Sequence, residues 1–303
     1  METTLVSAPL PQSPPIGGLF VVVATPFRLA EAKQQATDLA WVLPGHKGYK
    51  FCRPLDPSEH FSVRRLNQLA SALDCRSYLE IGVFEGETFL HMDVASRTGV
   101  DPLFRFDWRS QHNSEEVRLY ECTSDAFFQD LAPSTRYDLI FIDGLHTFEQ
   151  TYRDILHALR HSHAGTVIAI DDTIPSDVYS TCRNQQECYE LRQNYAASKD
   201  RRWHGDTYKI VPLIAAFNND LSLVTLIDGG NPWTLIWRPP APEPQDDIRA
   251  SQAQWAVQNL SAADYLWLHR NLSLYAPVSE AEGLQEVIVS LQGAPGKPLP
   301  ASP

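Results

Sequence analysis

The sequence predicts an α/β domain organised on a mainly parallel sheet with helices on both faces. Three observations lead there. Tyr78-Leu-Glu-Ile81 is a short apolar strand that runs into a turn carrying Gly82 and Gly86. Tyr137-Asp-Leu-Ile-Phe-Ile-Asp143 and Thr166-Val-Ile-Ala-Ile170 are almost continuously apolar, as strands buried on both faces must be. Helical spacing fills the gaps: Phe61, Leu66, Leu69, Ala70 and Leu73 form one apolar face, and Phe148, Tyr152, Ile155, Leu156 and Leu159 form another.

Taken in order, residues 1–55 read as an arm and an extension. Pro9, Pro11, Pro14 and Pro15 predict a loosely docked start, Ile16 to Ala24 a buried strand, and Leu29 to Leu43 a helix stopped by Pro44-Gly45. The basic, aromatic stretch Gly45 to Pro54 reads first as a solvated connector, with a cover over a substrate pocket as the alternative. Asp56-Pro57-Ser58-Glu59 has the form of a helix start: an acid cap, proline next and glutamate at the third position.

After the Gly82 turn a short apolar, helix-like run leads to Gly99-Val-Asp101, a second strand. A polar, aromatic loop spans Phe104 to Glu116, and Tyr120 to Phe128 reads as a strand running into Thr123-Ser124-Asp125. Thr147 is placed to cap the following helix, with Gln150 three residues on. Ser176 to Trp203 is polar and helical, the stretch best suited to substrate-specific structure. Asp206 to Phe217 reads as a helix. Leu221 to Ile227 and Trp233 to Trp237 flank Asp228-Gly-Gly-Asn231 as an antiparallel hairpin. Pro239 to Pro244 break the chain before a helical appendix at about 248–290, whose Trp255, Tyr265, Trp267 and Leu268 suit a capping surface or a homodimer contact; Gly293 to Pro303 read as disordered. The division is 1–55, 56–238 and 239–303.

Composition bounds the partners. A formal charge of −12 leaves no basic stripe for a nucleic acid. Ile16 to Ala24 is far short of the ~20 residues that cross a bilayer. No lysine or arginine precedes Arg28, which argues against a signal peptide. Cys52, Cys75, Cys122, Cys182 and Cys188 are odd in number and lack C-x-x-C spacing, the pattern of reduced thiols in a cytoplasmic protein.

The chemistry concentrates at predicted strand ends. A strand-to-helix crevice in an open α/β sheet suits a nucleotide-like cofactor, and the glycines let the backbone approach it closely. The dinucleotide pattern G-x-G-x-x-G is absent, and Glu80, Glu85 and Glu87 crowd the loop, which disfavours a diphosphate and suits a ligand with positive charge. Asp101 is placed to accept from ribose hydroxyls. Asp143 ends one strand and Asp171-Asp172 end the next, side by side at the rim where ligands bind. Three converging carboxylates call for a cation such as Mg²⁺, unless one of them merely caps a turn. His146, beyond the bend at Gly144, has three readings: a general base, a further metal ligand, or a structural histidine bonded to the next helix.

The run Phe141-Ile-Asp-Gly-Leu-His-Thr-Phe-Glu-Gln-Thr-Tyr-Arg-Asp154 resembles the D-G-x-H-x-[YF] motif of a bacterial group of class I S-adenosylmethionine-dependent methyltransferases. Tyr78–Val83, Gly99–Pro102, Thr123–Phe128 and Gly205–Lys209 are similar to other blocks of that group, in order. The resemblance implies a Rossmann-like, seven-stranded, mostly parallel sheet ending in an antiparallel hairpin. It implies S-adenosylmethionine as cofactor, with Glu80, Gly82 and Gly86 at its methionine end, Asp101 on the ribose, Ser124 and Asp125 near the adenine, and Asp143 beside it. Asp143, Asp171 and Asp172 look like the metal-binding acids of catechol- and macrolide-type O-methyltransferases, with His146 placed as the base. The group often carries His-Asp where this chain has Asp171-Asp172, so metal dependence is not general to it. The implied reaction is metal-assisted methylation of a hydroxyl on a small molecule or sugar. The alternatives are metal-independent N- or C-methylation, a non-catalytic partner subunit of the same fold, and a nucleotide-sugar enzyme. Acceptor-facing residues are expected from Gly45–Arg53, Phe104–Glu116 and Ser176–Asp206.

Overall fold

Strands buried on both faces build the sheet. In a computed structural model, which describes residues 60–110, 116–132, 134–218, 220–240 and 260–292, eight strands run in the order β3-β2-β1-β4-β5-β7-β6-β8. They are β1 (Ser77–Ile81), β2 (Ser96–Asp101), β3 (Val117–Glu121), β4 (Leu139–Ile142), β5 (Val167–Ile170), β6 (Ser222–Leu226), β7 (Trp233–Trp237) and β8 (Pro277–Val278). The first five are parallel; β7 is antiparallel to both β5 and β6, closing the expected hairpin with Leu226 opposite Trp233. One strand more than expected joins the edge, where β8 pairs parallel with β6. The chain divides into two compact units, Met1–Trp41 and Val42–Pro303, and the first lies outside the described residues. The expectations for residues 1–55, the 56–59 helix start, Cys52, Trp255 and the 293–303 tail lie outside them as well.

Each face of the sheet has its own core, because successive side chains on a strand point to opposite sides. Leu79, Ile81, Ile140 and Ile142 pack with Ile155 of α3 (Phe148–Arg160) and Ile214 of α5 (Ile210–Phe217). On the other face Tyr78, Phe141, Ala169 and Leu235 pack with Leu66 and Leu69 of α1 (Phe61–Ala72) and with Leu284 and Val287 of α7 (Glu280–Gln292), which follows the short α6 (Tyr265–Arg270). Burying one such side chain is worth about 1.5–3 kcal/mol. Among the described residues, no helix is long and apolar enough to cross a membrane.

Four local expectations are corrected. The apolar run after Gly86 forms only a 3₁₀ turn, Phe89–His91, which ends where Met92 turns extended ahead of β2. The third strand is Val117–Glu121. Phe127 and Phe128 belong instead to a helical turn that follows α2 (Ser124–Ala126), nucleated where Thr123 Oγ1 accepts the Ala126 N–H. Thr147 makes no side-chain cap; Asp206 Oδ1 accepts the Phe148 N–H at 2.8 Å and caps α3 from a distance. Within Ser176 to Trp203 the α-helix is confined to α4 (Gln185–Ala196), which starts at an Asn184 cap and stops at Ala197 with φ +49°. Buried Arg192 folds this segment on itself, donating to both carboxylate oxygens of Asp177 and to the carbonyls of Asp200 and Arg202.

Candidate active site

Asp143 follows β4 directly, and its N–H still donates to the Ile81 carbonyl at 2.8 Å, so the sheet itself delivers the residue to the rim. The 143–146 loop is then pinched from two sides. Gly82, at the tip of β1 with φ +90°, lies so close that a Cβ would fall on the Asp143 carbonyl. Gly205, with φ +59°, presses in the same way on the His146 carbonyl. His146 and Asp172 both adopt left-handed backbone, at φ +57° and +60°, a state that non-glycine residues keep only when their surroundings over-determine it.

The side chains converge. His146 Nδ1 is in close contact with Asp172 Oδ2, and its Nε2 lies 3.5 Å from Asp143 Oδ1. The Trp203 ring stacks on the imidazole, with centroids 4.9 Å apart. His204 Nε2 lies 3.4 Å from Asp172 Oδ1. One donor atom each from Asp143, His146 and Asp172 falls within 4.8 Å of the others, the one such group among the described residues. Asp171 stands beside the group, with its Oδ1 accepting the Asp172 N–H and an Asn231 N–H, each at 2.6 Å. Asp143, Gly144, His146, Thr151, Asp171 and Thr207 line a small recess open to solvent.

The electrostatics follow from this crowding. Burial, then the charges of Asp172 and Asp143, push Asp171 well above the usual carboxylate range. Burial also raises Asp143, to about 7, with Asp172 and Asp101 adding to the rise and His146 opposing it. Burial would lower His146, yet the facing carboxylates of Asp172 and Asp143 outweigh it and lift the imidazole to about 9. Asp172 is lowered despite its burial, because His146 stabilises its charge.

The residues expected to line a cofactor are differently engaged. Glu80 is buried and accepts the Tyr78 hydroxyl at 2.6 Å, and burial pushes it well above its ordinary value. Gly86, at φ +79°, leaves room for the Leu90 and Phe106 side chains. Asp101 ends β2 with one oxygen on the Phe84 N–H at 2.8 Å and the other on the Leu103 N–H at 2.7 Å, tying the tips of the first two strands together. Ser124 and Asp125 are joined to α3, where Gln150 donates to both and Arg153 pairs with Asp125. Beneath them lies buried Asp154, accepting from Gln150 at 3.1 Å and raised by burial to about 7.

Sequence reasoning did not single out Trp203 and His204, which lie inside the expected Ser176–Asp206 stretch, and missed Asn231 at this site. The first two directly precede the Gly205–Lys209 block, which was the available signal. Asn231 looked like a turn residue only, because nothing local tells that the β6–β7 hairpin head lies against the end of β5.

Solved structures with partial likeness include an O-methyltransferase from Bacillus cereus in complex with S-adenosylhomocysteine, 20% identical over 72% of this chain and 93% of that one, with a TM-score of 0.42. A candidate O-methyltransferase from Klebsiella pneumoniae is 20% identical over 69% and 86%, at 0.42. The O-methyltransferase of tomaymycin synthesis from Streptomyces achromogenes is 13% identical over 70% and 99%, at 0.43. The fold stands on the chain's own strand order, and these likenesses add nothing to it. No curated protein matches the chain. At the level of families, residues 79–173, which run from β1 through the acids that follow β5, match the model of a methyltransferase domain.

Proposed function

We propose that this protein is an S-adenosylmethionine-dependent methyltransferase acting on a hydroxyl of a small molecule or sugar, with His146 taking the hydroxyl proton. The carrying observation is the convergence of Asp143, His146 and Asp172 at the carboxyl ends of β4 and β5. It stands beside the β1/β4 point where the strand order reverses, the place where open α/β sheets bind ligands. The methyltransferase-domain match and the ordered motif blocks supply the cofactor class.

S-adenosylmethionine, when bound, supplies an electrophilic methyl group. For the chain itself the work is positioning and proton transfer. Asp172 and Trp203 fix the His146 ring and leave Nε2 beside Asp143 at the recess. Asp101, already oriented by two backbone N–H groups, keeps lone pairs for a ribose. The carboxylates of Asp143 and Asp172, with Asp171 beside them, are oxygen donors that fit a divalent cation such as Mg²⁺ or Mn²⁺. When bound, such an ion supplies Lewis-acid polarisation of the acceptor oxygen.

Calorimetric titration with S-adenosylhomocysteine, with and without Mn²⁺ and repeated on Asp101→Ala, tests the reading. Binding that weakens sharply in the variant supports it; no binding by the wild type under any condition overturns it. A second reading is favoured by the donor geometry: His146 ligates the cation and takes no proton. As a base with a value of about 9, His146 makes kcat/KM climb from pH 7 to 9 and then level off. A profile already flat from pH 7 upward favours the ligand role. Undiminished methylation in EDTA favours metal-independent chemistry.

A further inference from the structure

We propose that Asn231 is a positioning residue for the acidic centre, and that the C-terminal helix α7 reaches the centre through it. This rests on the functional reading above, although its test does not need the cofactor. Asn231 sits at the head of the β6–β7 hairpin, outside the converging group, yet its carboxamide touches both neighbouring acids. Its Nδ2 donates to Asp171 Oδ1 at 2.6 Å and to Asp172 Oδ1, and its Oδ1 lies 3.0 Å from His204 Nε2. Asp172, facing His146 as a carboxylate, only accepts, so the amide nitrogen belongs on the side of the acids. Two acids on successive residues are crowded together at the rim, and Asp172 carries an unfavourable φ of +60°. A single amide group bridging both acids holds them in this arrangement, and Asp172 in turn holds His146.

The hairpin head is itself locked. The fully buried Arg65 guanidinium donates to the Asn231 carbonyl and the Asp228 carbonyl, each at 2.6 Å, and to Glu280 Oε2 at 2.7 Å. It lies over the rings of Phe61 and Trp233 at 5.1 and 4.9 Å. Arg64 donates to the Gly229 carbonyl and pairs with Glu280, while the Glu280 N–H donates to Asp228 Oδ1 at 2.6 Å. A Cβ at Gly229 would meet the Glu280 carboxylate, and one at Gly230 would meet the Phe61 ring. A buried guanidinium is costly unless its donors are matched; this one spends them on the two ends of the turn that carries Asn231. The path runs from Glu280, the first residue of α7, through Arg65 and Asn231 to Asp171, Asp172 and His146.

The test uses full-length protein: wild type, Asn231→Ala, Asn231→Leu and Glu280→Gln, the last touching neither acid. The first readout is the ¹⁵N imidazole resonance of His146 at fixed pH in the ligand-free protein, assigned by its loss in His146→Ala. His91 and His163 serve as controls outside the site. The second is Mn²⁺ affinity by calorimetry, expected to weaken by about tenfold or more in the Asn231 variants, the scale on which partners that orient metal ligands act. A His146 shift with control resonances in place, smaller in Glu280→Gln than in the Asn231 variants, supports the proposal. An unmoved His146 in the Asn231 variants overturns it. Control and site histidines moving together also overturn it, since that marks general loosening. If neither Asn231 variant folds, an unmoved His146 in Glu280→Gln overturns it and a shifted one supports it. Failure of wild-type protein to bind S-adenosylhomocysteine or Mn²⁺ counts against the functional reading alone.

Discussion

Asp101 and Asp172 occupy comparable stations, one ending β2 and the other just beyond β5, and they are held in opposite ways. Asp101 is held by backbone: the N–H groups of Phe84 and Leu103 take one oxygen each. Asp172 is held by side chains, those of His146, His204 and Asn231. Their acidities diverge accordingly. Burial outweighs the N–H bonds and raises Asp101, whereas the imidazole of His146 overcomes burial and lowers Asp172. An acid fixed by amides has its position set by the fold, and its partners cannot change charge. An acid fixed by an imidazole belongs to a centre whose protons can move.

The largest expected effect lies on the Asp172 side. His146→Ala is expected to cut turnover by about 10²–10⁴-fold, the range of general-base catalysis, with S-adenosylhomocysteine affinity nearly unchanged. Steady-state kinetics beside calorimetry checks this, and equal losses in both would erase the distinction between the two acids. Next comes Asp172→Asn. It removes the main influence that raises His146, so the imidazole falls from about 9 toward its ordinary value. The alkaline rise in kcat/KM then moves to lower pH, measurable in the rate profile; an unshifted profile would break the assignment.

On the Asp101 side, Asp101→Ala removes the acceptor of the part-buried Phe84 and Leu103 N–H groups and is expected to cost about 1 kcal/mol of stability by urea unfolding, together with cofactor affinity. Loss of affinity at unchanged stability would mean that the two backbone bonds carry little. The smallest effect sharpens the comparison from below, at Asp154. Its folded value is raised to about 7, so its contribution to stability is complete below its unfolded value near 4 and is lost as pH climbs through 7. Asp154→Asn is therefore expected to gain on the order of 1 kcal/mol over wild type at pH 8 and nothing at pH 4. Melting curves at the two pH values decide it.

The central strands were legible because burial on both faces demands an uninterrupted apolar run, as in Leu139–Ile142 of β4 and Val167–Ile170 of β5. The acids just past their ends were legible for the same reason: a polar residue after such a run must lie at the rim. The missing helix after Gly86 was not legible, since Phe89-Leu-His-Met92 has the composition of a helix while the backbone already turns extended at Met92. The α3 cap was misread because Thr147 offers a local oxygen while the working one comes from Asp206, brought near only by tertiary folding. Asn231 and Arg65 escaped for a related reason. Their roles depend on β7 lying next to β5 and on α7 lying against α1, relations that no local window of sequence contains.

The pinch of Gly82 and Gly205 on the 143–146 loop bears on how a map of tolerated substitutions would look. Every replacement at Gly205 brings a Cβ onto the His146 carbonyl, and alanine is as unwelcome there as tryptophan. A saturation screen scored on activity would show an all-or-nothing column at this position, the same profile as a residue that performs chemistry. Gly205 has no side chain with which to perform any. The two classes share the profile and differ in its cause: at a chemical residue alanine removes a group, and at Gly205 it adds one.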